Sequence, residues 1–137
     1  MPKKNIWIIS HYASPIKYGY GTRLFLLSEE FIKMGYNVTI FTSTSNYQLN
    51  IKPVTHKIFT HEDINGINLV WVKGINYSDA GGFKRVLSWF IFSFFLLFYR
   101  SERTNKPDII IVSSLSIIPV INGWLFRKRF NFWSTVF

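Results

Sequence analysis

The stretch NIWIISHYASPIKYGYGTRLFLLSEEFIKMGYNVTIF, residues 5–41, carries the pattern on which the fold of this 137-residue chain turns. It opens with a short apolar run rich in isoleucine, residues 5–10, which reads as a strand buried on both faces. Residues 22–34 then place apolar side chains at Leu24, Leu27, Phe31 and Met34, a helical spacing, with Thr22 positioned to cap and Gly35 to terminate. A second apolar run at residues 37–41 supplies another strand. Strand, glycine-bearing loop, helix and strand in that order form a βαβ unit, which joins two parallel strands.

The same alternation continues outward. Residues 43–63, rich in Ser, Thr, Asn and Lys, show weak periodicity and predict an irregular excursion over the surface. The Asn65-Gly66 turn signal precedes INLVWVK, residues 67–73, a further strand, and a glycine-bearing loop follows at 74–82. An aromatic run predicts a helix over 83–99, KPDIIIVSS at 106–114 reads as a buried parallel strand, and 116–130 returns to helix. This order predicts right-handed crossovers and an α/β fold: an open, parallel, Rossmann-like sheet with helices on both faces. No internal repeat interrupts it.

Composition narrows the class. An apolar fraction of 48% and an aromatic fraction of 19% exceed what a disordered chain carries, and the length suits one domain. With no cysteine, neither a disulfide framework nor a thiolate metal site can form, which fits a cytoplasmic protein. The N-terminal apolar run is too short for a signal-peptide core. The net charge of +9 is uneven: residues 1–83 hold 8 basic and 5 acidic side chains, residues 84–137 hold 8 and 2. A surface of that sign suits an anionic bilayer or a nucleic acid, or is simply solvated. Nucleic acid is the weakest of these, because the aromatics sit in apolar runs and not among the basic residues as stacking platforms.

Gly19 and Gly21 lie in the loop that leaves the first strand, where ligands of open α/β sheets bind and where glycine lets a backbone approach a phosphate. The same glycines also suit simple chain reversal, and spacing alone leaves both readings open. A nicotinamide-dinucleotide fingerprint is excluded, since Leu24 stands in place of the third glycine and residues 41–47 contain no acid for a ribose. A nucleoside-triphosphate P-loop is excluded as well, because Thr22 and Arg23, not lysine, follow Gly21.

GYGTRLFLLSEEFIKMGYNVTIFTSTSN, residues 19–46, resembles the start of family 4 glycosyltransferases of the GT-B fold, where a Gly-Gly-Gly-Thr-Arg-like loop precedes a helix and a strand. GINLVWVKGINYSDAGGFKRVLSWFIFSF, residues 66–94, is similar to the third strand, glycine loop and Lys-Arg-led helix of the same enzymes. KPDIIIVSSLS is similar to their Pro-Asp-led strand. Tyr20 departs from the glycine usual between Gly19 and Gly21, and Leu115 replaces a proline after Ser113 and Ser114.

The resemblance implies the N-terminal, acceptor-side half of such an enzyme over residues 1–131, with 132–137 an unmatched tail and the donor-binding domain absent, as a shortened gene product would leave it. It implies that the intact relative moves a sugar from a nucleotide-diphosphate donor to a lipid-linked glycan acceptor in bacterial O-antigen or capsule assembly. Such an enzyme works at the inner face of the cytoplasmic membrane, and the half-enzyme alone is expected to be inactive. By the same resemblance Gly19, Gly21, Thr22 and Arg23 form the loop that approaches the donor's phosphates. His11, Ser113 and Ser114 line the acceptor side. No catalytic residue, metal ligand or cofactor is assigned.

A non-catalytic, membrane-peripheral binding domain is the alternative. VLSWFIFSFFLLF, residues 86–98, is about 20 Å long as a helix, against roughly 30 Å of hydrocarbon. It is too short to span. Lys84, Arg85, Trp89, Arg100 and Arg103 suit a helix lying in a membrane interface, while a buried packing helix with charged ends explains the run equally well. His56 and His61, with Glu62 and Asp63, make only a loose metal-like grouping that reads as a solvated loop, and Glu29 and Glu30 read as solvated helix residues.

Overall fold

A computed structural model describes residues 4–10, 23–44, 57–74, 83–99, 106–112, 124, 125, 128 and 133–136. The elements are β1 (Asn5–Ile9), α1 (Arg23–Lys33), β2 (Asn37–Ser43), β3 (Phe59–Ile64), β4 (Ile67–Val72), α2 (Phe83–Leu97), β5 (Ile109–Val112) and β6 (Trp133–Val136). They build one α/β unit around a six-stranded sheet of order β3-β4-β2-β1-β5-β6. All neighbours are parallel except β3 and β4. The expectation of a parallel sheet is corrected at this edge.

The correction has a local cause. Asn65 (φ 53°) and Gly66 (φ 85°) both occupy the left-handed region, the geometry of a tight two-residue turn whose twist matches a hairpin. Asp63 Oδ1 accepts from the Gly66 N–H at 3.1 Å, and Ile64 pairs with Ile67 directly across. Residues 59–64, expected to be irregular, are therefore an edge strand, and Trp71 Nε1 ties it down by donating to Glu62 Oε2 at 3.0 Å. Residues 133–136, to which the sequence reading assigned no element, pair with β5 in parallel, Ile109 to Trp133 through Val112 to Val136.

The carboxyl end of α1 follows the sequence closely. Gly35 has φ 94°, its N–H bonds Ile32 O at 3.0 Å, and the Tyr36 N–H bonds Phe31 O at 3.0 Å. That pair of bonds closes the last turn of α1, and the Phe31 and Tyr36 rings meet edge to face at 6.2 Å. The buried stripe of α1 is Leu24, Phe25 and Ser28, with Phe31 and Ile32 partly buried. Leu27 and Met34, expected on that stripe, are exposed, so the helix is rotated about its axis relative to the sequence reading. Ser28 fits the core because its hydroxyl donates to Leu24 O at 2.7 Å.

Alternate strand residues sort into two clusters. Ile6, Ile8, Val38, Ile40, Leu69 and Trp71 pack with Leu24 and Phe25 of α1. Trp7, Ile9, Phe41, Val70, Val72, Ile110 and Val112 pack with Phe92 and Leu96 of α2 and with Tyr99. Period-two alternation in central strands buried on both faces produces this division. Tyr99 is the hub of the second cluster, with ring centroids 4.8 Å from Phe41, 5.1 Å from Phe59 and 5.8 Å from Trp7.

Candidate functional site at the carboxyl edge

β1 has β2 on one side and β5 on the other, both parallel to it. The chain leaves β1 toward β2 and returns to the other side only with β5, so the direction of winding reverses between β1 and β5. In open α/β sheets such a reversal opens a crevice at the carboxyl ends of the two strands. Ile9, Phe41 and Val112 stand in register at that edge, each fully or almost fully buried.

Small hydroxyl residues crown this edge. Ser10 is buried and its N–H donates to Phe41 O at 2.9 Å, which carries the β1–β2 ladder one residue past the strand. Ser43 is buried at the end of β2. Next to it the Thr44 N–H donates to Val72 O at 3.0 Å, and Thr44 Oγ1 accepts from the Gly74 N–H at 2.9 Å. These bonds staple the segments that leave β2 and β4, so the rim beside the crevice is held by backbone and hydroxyl groups and carries no acid among the described residues. Lys73, exposed, is the cation of this rim among the described residues, with its N–H on Ile58 O at 2.8 Å.

Arg23 is the first residue of α1 and is exposed. Gly19, Gly21 and Thr22, together with His11, Ser113 and Ser114, lie outside the described residues, as do Arg100 and Arg103. Chain connectivity nonetheless fixes where their segments begin: His11 follows Ser10 after β1, and Ser113 follows Val112 at the end of the neighbouring β5. Lys84 and Arg85 occupy the first turn of α2, and Trp89 is half-buried on it. His61 lies on β3, tilted against Tyr99 at 6.1 Å. Among the described residues no group of three His, Asp or Glu side chains is arranged to hold a metal ion.

Sequence reasoning passed over Ser10, Ser43 and Thr44. Hydroxyl residues directly after apolar strand runs were the available signal, but the same residues are common in any turn. At the opposite, amino edge a polar latch closes the sheet: the Asn5 N–H donates to Asp108 Oδ2 at 2.7 Å and Asn37 Nδ2 to Asn5 Oδ1 at 3.1 Å. Side-chain bonds thus tie the amino edge across β1, β2 and β5, and the Thr44–Gly74 bond ties the carboxyl edge between β2 and β4. Compared with known proteins, the chain matches no protein-family model and no curated relative.

Proposed function

We propose that this chain is the acceptor-side, Rossmann-like part of a sugar-transferring enzyme, with one helix layer on each side of its sheet and its working surface at the carboxyl edge between β1 and β5. The observation that carries the reading is the reversal of winding at β1, which puts the segment containing Gly19 and Gly21 directly after the central strand. The division of strand side chains between an α1 cluster and an α2 cluster supports the two layers.

The chemistry follows from what such a rim can do. In transfer from a nucleotide-diphosphate sugar, an acceptor oxygen bonds the anomeric carbon and gives up its proton, while the nucleoside diphosphate leaves with the electron pair of the broken C–O bond. Thr44, half-buried beside the buried Ser10 and Ser43, is the hydroxyl of this rim that suits the hydroxyl-rich face of a sugar acceptor. Backbone amides of the glycine loop, the start of α1 and Arg23 suit the departing diphosphate. A separate donor-binding half has to supply the nucleotide site, so the chain alone is inactive in this reading. A lipid-linked glycan as acceptor places the work at the inner face of the cytoplasmic membrane.

The test is amide chemical-shift mapping with a short-chain prenyl-diphosphate sugar. Shifts confined to Ser10, Ser43, Thr44, Gly74 and Val112 support the reading. Shifts confined to the amino edge around Asn5 and Asn37, or none at millimolar ligand, overturn it, as does sugar transfer by the purified chain alone.

A further inference from the structure

α2 is built inside out. The side it turns to the core carries Ser88 and Ser93 beside Phe92, Leu96 and Tyr99, all buried. The other side carries Phe83, Leu87, Phe90, Phe94, Leu97 and Phe98, of which Phe83 is 80%, Phe90 56%, Phe94 58% and Phe98 65% exposed. These positions recur at intervals of three and four, so they form one stripe along the whole helix. Phe94 and Phe98 stack edge to face at 5.1 Å, which makes the stripe a continuous apolar surface and not a scatter of single side chains.

Charge and size decide what covers it. Lys84 and Arg85 sit in the first turn, and Arg100 and Arg103 follow the last turn in sequence, with Glu102 the single acid from 84 to 107. Two copies of α2 packed stripe to stripe pair segments that are basic in sequence at both ends, whether the helices run parallel or antiparallel. Fifteen residues give a stripe about 22 Å long and about 10 Å wide, on the order of 200 Å². A stable protein interface needs about 800 Å² per partner. A bilayer has no such minimum, because lipid closes around whatever is inserted, and anionic headgroups meet cations at both ends of the helix.

We propose that the outer face of α2 inserts into the interface of an anionic lipid bilayer, with the helix lying in the membrane plane. This rests on the peripheral location proposed above and supplies the surface that performs it. No helix among the described residues is long and apolar enough to cross a membrane, so contact is one-sided.

The chain has no cysteine, so single labelling sites are clean. Phe94→Cys on α2 and Lys33→Cys on α1 are each labelled with a polarity-sensitive fluorophore and mixed with vesicles of phosphatidylcholine and phosphatidylglycerol, or of phosphatidylcholine alone, at physiological salt. The expected result is a blue shift at position 94 with the anionic vesicles only, and none at 33. In co-sedimentation, unlabelled Phe90→Ser/Phe94→Ser is expected to lose roughly tenfold or more of its vesicle partitioning at an unchanged melting temperature. Equal shifts at both sites, no shift at 94, or partitioning unaffected by the double substitution overturns the proposal. A label at 94 that is already shielded without vesicles also overturns it, through self-association if shielding grows with protein concentration and through the chain's own cover if it does not. No sugar donor or acceptor enters these measurements, so a failed transferase reading leaves their outcome intact.

Discussion

α1 and α2 serve the same sheet with opposite designs. α1 turns Leu24, Phe25 and a self-satisfied Ser28 inward and ends on the Glu30–Lys33 pair, with no phenylalanine among its exposed apolar residues Leu26, Leu27 and Met34. α2 turns Phe92 and Leu96 inward beside two serines, and carries Phe83, Phe90, Phe94 and Phe98 on its exposed side. A helix that only seals a core needs one apolar stripe; α2 has a second, which water does not reward. That excess is the ground on which a lipid contact is proposed for α2 and not for α1.

The sharpest test of that contrast uses two phenylalanines of one helix. Phe92 is fully buried, so Phe92→Ala is expected to cost about 3–5 kcal/mol in urea unfolding. A cost near that of a surface change would mean that α2 does not seal the core. Gly35→Ala comes next. No atom lies within 4 Å of the added methyl, so only the positive φ opposes it, and a loss of about 1–2 kcal/mol is expected. A neutral result would remove the left-handed cap as the reason α1 stops there.

Phe94→Ser, on the exposed stripe, is expected to change stability by less than about 0.5 kcal/mol while weakening vesicle binding. A large destabilisation would place Phe94 in the core and erase the contrast. The smallest effect belongs to Lys33. Its ammonium donates to Glu30 Oε1 at 2.8 Å, and that hydrogen bond, then the Glu30 charge, raises its pKa. A raised lysine pKa stabilises the fold below the unfolded-state value, and the contribution fades as pH climbs through the folded one. With both side chains in water, Lys33→Met is expected to leave the melting temperature unchanged within replicate scatter.

Much of the central fold was legible because its signals are local. The apolar runs of β1, β2, β4 and β5, and Gly35 after α1, each follow from a few neighbouring residues. β3 was missed although Asn65-Gly66 implied it: a two-residue turn of that type needs a strand before it as well as after. Phe59–Ile64 hides the fact by carrying His61, Glu62 and Asp63, which suit an exposed edge. β6 has four residues and a partner more than twenty residues earlier, so no local pattern announces it. The facing of α1 was misread because Ser28 counts as polar until its hydroxyl is seen bonded to Leu24. At the site, the glycines drew notice while Ser10, Ser43 and Thr44 did not, since their place on the rim depends on strand register.

The sheet order also constrains how the chain folds as it is made. β1 through β4 form from residues 5–72 alone, with β1 pairing β2 about thirty positions on. The other side of β1 waits for β5: the Asn5–Asp108 bond joins groups 103 residues apart. At about 5–20 residues per second, a ribosome takes several seconds to deliver that partner. Meanwhile Ile6–Ile9 presents an open, wholly apolar ladder on the side that β5 later fills, while Phe41, Val70 and Val72 are already there to receive the core face of α2. The nascent chain is therefore most prone to aggregate before residue 112 has cleared the exit tunnel, and a chaperone that shields apolar segments is needed most in that interval.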